Sequence, residues 1–400
     1  MQSVVKSKTG YRKTVRQVLA AASLLLLPAI LPALASAQTA LPDYSRLSAS
    51  DLQSLATRGD MHAVFTQGYN LIFDANQNLR PNADLETARK LLETAHANGH
   101  ETANSLLVLF YEGEFGQAPD FAKVEPLLTT AAERGSAAAQ LNYAYRFIDA
   151  DDPAKSDRAM RYVVSATQNA EYRETAYPLL IEVLYGVNFD KKQNLPLARK
   201  KSEECVNLWP ENTFCHYILG RDFEQGWGGA QNAARSDFHL KKAANLGDAR
   251  AQWTVGMRYL NGVQVQKNEQ TAYSWVKKSA DQNYIDGLIS LAVMTALGQG
   301  TQANPAAAFK IYETATTLGS PHALRGLGSM YCTGEAPKTD RNLCAAALIL
   351  AYQGGDDPAG DLLTRFFDVT DQAGFDALEK AMAPAMTSLM DRYNIQFNEE

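Results

Sequence analysis

Cysteine is scarce in this chain: there are four in 400 residues, and none before Cys205. That excludes a disulfide-dense miniature scaffold. With no Cys-x-x-Cys and no clustered Cys/His spacing, it points to no metal site. A lipoprotein is also not expected, since lipidation needs a cysteine just behind an apolar leader. Positive charge is in deficit as well. Lys+Arg number 38 against 44 Asp+Glu, a net charge of −6, which argues against a surface that neutralises nucleic-acid phosphates. At 46% hydrophobic and 20% charged the chain is not of the disordered class. Beyond residue 37 no apolar run is long enough to span a bilayer. Catalytic signatures are missing too. There is no His-Glu-x-x-His, no Gly-x-Ser-x-Gly, no Gly-x-x-x-x-Gly-Lys-Ser/Thr, and no Gly-x-Gly-x-x-Gly behind a strand. No catalytic residue, metal or cofactor is therefore expected.

What is present begins with an export signal. Lys6, Lys8, Arg12, Lys13 and Arg16 form a basic start, followed by the apolar run from Val18 to Leu34. Ala35-Ser36-Ala37 has the small-x-small pattern of a cleavage site, so Ala37 and Gln38 should flank the cut. The alternative is an uncleaved anchor, which Pro28 and Pro32 inside the run disfavour. Cleavage would leave 33 Lys+Arg against 44 Asp+Glu, a net charge of −11. The expected product is an acidic periplasmic or secreted protein with no stable membrane anchor.

A 36-residue period runs through the rest. Gly226, Gly262, Gly298 and Gly334 keep it, as do Cys215, Ala251, Gly287 and Ala323. So do Gly220, Gly256, Ala292 and Gly328. Upstream the same step joins Ala95 to Ala131 and Gly99 to Gly135. Within one period the pattern is that of two helices. Ala251, Val255 and Tyr259 recur at four-residue spacing on one face, and Asn261-Gly262 ends that helix. Ala272, Trp275, Val276 and Ser279 line a second helix, ended at Asn283. A lone hairpin cannot bury its apolar face, so such units must stack.

Ala251, Val255, Gly256, Tyr259, Gly262, Ala272, Trp275, Lys278, Ala280 and Asn283 together resemble the Sel-one-like repeat, a relative of the tetratricopeptide repeat. Leu327, Gly328, Tyr331, Gly334 and Gly355 carry the pattern again. The family's Gly-x-Gly-Val loop is only partly kept. The resemblance implies an all-α, right-handed α-solenoid of about eight stacked antiparallel hairpins with a C-terminal helical cap. On that reading 1–37 is a signal peptide, 38–60 a leading segment with one helix, 61–355 the repeats and 356–400 closing helices. An exported bacterial member of that family is implied, acting as a scaffold or adaptor. One alternative is the family's cysteine-rich branch, with penicillin-binding or β-lactamase activity. This chain departs from it, with four cysteines and no cysteine pair in each repeat. A secreted host-interaction factor is the other alternative.

Four cysteines allow three pairings. Cys205 ends one hairpin and Cys215 opens the next; Cys332 ends a first helix and Cys344 opens the second helix of the same hairpin. Local pairing of each couple is favoured by an oxidising compartment, and the cysteine-rich branch similarly joins one hairpin to the next. Four buried free thiols remain the alternative, because Cys215 and Cys344 stand where sister repeats carry Ala or Ser.

His96 and His100 flank the turn at Gly99, which makes a weak pair for a metal. A binding groove has more support. In tetratricopeptide-like hairpins it is lined by first-helix positions three before and one after the small residue matching Gly256. Those positions hold Phe65, Tyr69, Tyr145, Tyr217, Arg221, Trp253 and Arg325. Aromatic and arginine side chains are the composition of binding hot spots. The expectation is a concave face that binds a protein or peptide partner in the cell envelope.

Overall fold

The computed structural model describes residues 44–148, 150, 152–186 and 194–395. The export signal, with Ala37 and Gln38, lies outside the described residues, as does the insertion at Asn188–Gln193. The described residues divide into two compact units, 44–194 and 195–395. The first holds α1 (Ala49–Thr57), α2 (Met61–Ile72), α3 (Leu85–Ala97), α4 (Glu101–Tyr111), α5 (Val124–Glu133), α6 (Ala137–Phe147), α7 (Pro153–Ala166) and α8 (Arg173–Tyr185). The second holds α9 (Leu195–Leu208), α10 (Thr213–Gln225), α11 (Ala233–Asn245), α12 (Ala249–Asn261), α13 (Glu269–Ala280) and α14 (Ile285–Leu297). It continues with α15 (Pro305–Thr317), α16 (Pro321–Thr333), α17 (Arg341–Gln353), α18 (Asp357–Phe367) and α19 (Gln372–Tyr393). Among the described residues there is no strand, only an isolated bridge between Phe73 and Leu79.

Four hairpins, α10–α11 to α16–α17, make the repeating part of the second unit, and each helix packs on its neighbour in the chain. Their boundaries follow from side-chain chemistry at the helix ends. Asn232, Asn268, Asn304 and Asp340 are 36 residues apart, and each caps the N-terminus of a second helix with its side-chain oxygen. Such a cap is worth about 1 kcal/mol. Gly226, Gly262, Gly298 and Gly334 end the four first helices in the left-handed region, with φ of 76°, 69°, 74° and 81°. In three of the four hairpins the following turn keeps one shape, even at Gln264 where the family's second loop glycine is lost. Gly228 and Gly300 are left-handed, and Gln264 takes the same conformation at φ 63°.

The core of each hairpin closes at the small residue of the first helix. A Cβ on Gly256 would lie 2.7 Å from Val276 Cγ2 and 3.1 Å from the Val276 backbone nitrogen. Gly220 meets Leu240 and Gly328 meets Leu348 in the same way. Ala251, Val255, Ala272 and Val276 are buried around this crossing. The unit ends in α18 and α19, which bury Leu363, Leu389 and Tyr393 against the last hairpins. Tyr393 Oη donates to Glu313 on α15 at 2.7 Å.

Both cysteine couples are disulfides. Cys205–Cys215 joins α9 to α10 with Cα atoms 6.0 Å apart, and Cys332–Cys344 joins α16 to α17 at 5.3 Å. The free-thiol alternative therefore falls: helix ends that meet across a short turn bring the sulfurs together.

Two outcomes follow from this packing. Gly256→Leu should lose on the order of 1–3 kcal/mol or more through overpacking. Ser274→Leu, at an exposed position of α13, should melt like the wild type; thermal unfolding of the two variants side by side checks this. Reduction should cost roughly 2–3 kcal/mol for each short loop opened. Thiol labelling of the unreduced, denatured protein should find no free cysteine.

Candidate partner-binding face

The first helices α10, α12 and α14 present one face of the second unit. Asp248 caps α12 by accepting from Ala251 N at 2.9 Å, and its other oxygen accepts from Arg250 Nη2 at 2.8 Å. That grip sets the Arg250 guanidinium 4.3 Å over the Tyr217 ring and 5.5 Å from the Phe214 ring, both on α10. One turn further along α12, Trp253 Nε1 donates to Ser290 Oγ on α14 at 2.9 Å. The indole also meets the Tyr284 ring edge-on at 6.2 Å. Tyr284 Oη in turn donates to Asp286 at 2.8 Å. Burial raises the phenol pKa of Tyr217. It does the same at Tyr284, with the Asp286 hydrogen bond adding to it. Both stay neutral donors at ordinary pH. Phe214, Tyr217, Arg250, Trp253 and Tyr284 thus form one continuous aromatic and guanidinium row across three helices.

The groove positions expected from the sequence separate into three groups. Tyr217, Arg221 and Trp253 do share this face, but their states differ. Tyr217 also packs on the small core around Leu240 and Val255. Arg221 is already paired, with Nη1 3.0 Å from Glu224. Glu224 in turn is 2.5 Å from the buried Arg258. Arg325 stands apart from the row. Its Nε and His322 Nδ1 both reach Asp356 Oδ2 at 2.8 Å, and the Asp356 side chain is fully buried at the start of α18. This guanidinium ties α16 to the start of α18.

Phe65, Tyr69 and Tyr145 lie in the first unit and pack against its core. The Phe65 ring stacks on His100 with centroids 4.5 Å apart, and Tyr69 lies 4.8 Å from Phe73. Burial pushes the Tyr145 phenol up to about 12. His100 does not join His96; its Nε2 is 3.0 Å from His62 Nδ1. His100 Nδ1 accepts from Ala103 N, so Nε2 carries the proton and donates to His62. Burial, then the neighbouring His62, lowers the His100 pKa to about 4. Among the described residues no three His, Cys, Asp or Glu side chains gather as a metal site.

Several residues of the face escaped the sequence reading. Ile289 and Val293 occupy the groove positions around Ala292, and Leu297 lies one turn further on. Val293 and Leu297 are exposed, the latter at 66%. The same spacing rule, applied to the repeat whose small residue is Ala, would have found the first two. Arg250 and Tyr284 lie outside that rule. Only the neighbouring helices show that they belong to the row.

The matches to known proteins agree with this geometry. The Sel1 repeat matches at residues 213–248, 249–284, 285–320 and 321–356, the four hairpins of the second unit. A sel1-like repeat-containing protein of Acanthamoeba polyphaga mimivirus is 47% identical over 51 residues, 13% of this chain and 9% of that protein. A Neisseria meningitidis serogroup B protein of unassigned function is 28% identical over 287 residues, 68% of this chain and 56% of that protein. The chain thus spans less than two thirds of either curated relative. The crystal structure of a Sel1 repeat protein from Oxalobacter formigenes superposes with a TM-score of 0.57 at 25% identity, covering 70% of this chain and 79% of that one. Residues 213–356 are thus four consecutive Sel1 repeats, each built as one helical hairpin.

Proposed function

We propose that this protein is an exported, non-enzymatic scaffold, periplasmic or secreted, that binds a protein or peptide partner on the concave first-helix face of its second unit. The observation that carries the reading is the continuous row from Tyr217 through Arg250 and Trp253 to Tyr284. Its rings are held by hydrogen bonds and stacking before any partner arrives, which lowers the entropy lost on binding. Val293 and Leu297 extend the row with exposed apolar surface. Sel1 repeat proteins are generally non-enzymatic scaffolds, which supports binding over catalysis. Export is supported by two disulfides, which suit an oxidising compartment, and by the leader-like sequence before Gln38.

The test is a double substitution. Tyr217→Ala with Trp253→Ala should weaken partner binding by about 2 kcal/mol or more, roughly 30-fold, while the variant still unfolds cooperatively. Partner recovery after crosslinking in the cell envelope, read beside the melting temperature, separates lost contact from lost fold. A folded double variant that recovers its partner in full would remove this face. Cell fractionation followed by N-terminal sequencing should find the mature protein outside the cytoplasm, starting at Gln38.

A further inference from the structure

A second concavity lies between the helices α9 and α11, floored by Leu219 and Phe223 of α10. Its volume is about 600 Å³, within the range of pockets that hold small ligands or a few peptide side chains. Three of its residues have no counterpart in the other matched repeats. Arg235, Phe238 and His239 correspond, at 36-residue steps, to Thr271, Ser274 and Trp275, then to Ala307, Lys310 and Ile311. The hairpin packing therefore does not demand them. Phe238 is 62% exposed, an aromatic ring at a position that Ser274 and Lys310 leave to solvent.

The charges in this cleft do not balance. Arg199 lies 4.0 Å from the Phe223 ring centroid and is already committed, with Nη1 donating to Ala230 O at 3.0 Å and Nε 3.9 Å from Glu203. The exposed Arg235 also lies over the Phe223 ring, at 5.1 Å. Among the described residues no carboxylate stands within ion-pair distance of it. Stacking on the ring orients that guanidinium without using up its hydrogen-bond fork. His239 adds no charge. His216 Nε2 donates to Pro210 O at 3.0 Å, so His216 Nδ1 accepts, and His239 Nδ1 donates to it at 2.9 Å. Burial, then His216, lowers the His239 pKa to about 4, so the ring is neutral at ordinary pH.

We propose that this cleft binds an acidic peptide segment in which an aromatic or aliphatic side chain neighbours a carboxylate. The apolar side chain lies against Phe238 and Leu219, and the carboxylate takes the open fork of Arg235. Glu203 on the facing wall, with Arg199 beside it, leaves Arg235 as the unneutralised charge, so an acidic segment is preferred over a basic one.

The test uses fluorescein-labelled tripeptides read by anisotropy on the full chain. Asp-Phe-Asp should bind saturably, while Lys-Phe-Lys and Asp-Gly-Asp should bind about tenfold more weakly or not at all. Arg235→Gln and Phe238→Ala should each weaken Asp-Phe-Asp about tenfold. Both positions are exposed, so both variants should melt with the wild type. Trp253→Ala, on the other face, should leave this binding unchanged, so the two sites stand or fall separately. Equal binding of Lys-Phe-Lys, wild-type binding by both cleft variants, or no saturation by about 1 mM peptide would each overturn the proposal.

Discussion

The second unit depends on one steric condition, the close crossing of the two helices in each hairpin. At Gly256 there is no room for a side chain, because the backbone nitrogen of Val276 already lies at contact distance from where a Cβ would stand. Glycine inside a helix costs about 1 kcal/mol relative to alanine. That cost is offset by the contact it allows, with Val276, Leu240 and Leu348 each seated over the small residue of the partner helix. Asparagine and aspartate caps at 36-residue intervals and left-handed glycines at the C-termini then hold every hairpin to one length. Uniform hairpins can stack, and stacking buries what a single hairpin leaves exposed.

Within that frame the informative residues are those that break the period. Arg258 is buried at a position where sister repeats carry Asp222, Met294 and Met330. It bonds Glu224 on α10 and Ser236 on α11, at 2.5 Å and 2.8 Å, which couples two hairpins. Removing one partner of such a buried charge network is strongly destabilising, since the other charge is left uncompensated. Glu224 also holds Arg221, which explains why that arginine is bound within the fold. Arg235 and Phe238 depart from the period in the opposite sense: both face solvent, and their ring contacts, to Phe223 and His239, are at the cleft itself.

Polar side chains that looked alike in sequence thus have different tasks. Arg325 and His322 converge on buried Asp356, while Arg250 lies over two rings with its charge steadied by Asp248. The two histidine pairs, His62 with His100 and His216 with His239, are joined by hydrogen bonds between rings contributed by separate helices or helix ends. In each, an acceptor or donor on the backbone selects the tautomer. The disulfides join helix ends, one between α9 and α10 and one between α16 and α17.

The sequence by itself determined the helical hairpin, its 36-residue length and its glycine ends, and it favoured the pairing of cysteines close together in the chain, which the structure then settled. All of these are local. They depend on spacing along one helix or across one turn, and spacing is written in the residue order. It also marked Tyr217 and Trp253, because the groove rule counts from a small residue within the same helix. Tertiary structure alone decided which of the marked residues were free. Arg325 was taken by Asp356, thirty-one residues away, and Phe65 by the ring of His100. It also brought in Arg250 and Tyr284, whose places follow from the neighbouring hairpin. Nor could the order of residues show that Arg235 and Phe238 share a cleft with α9, since that wall is built by a helix on the far side of α10. Stacking is what turns separate helix faces into a surface, and no single repeat contains the information about its neighbours.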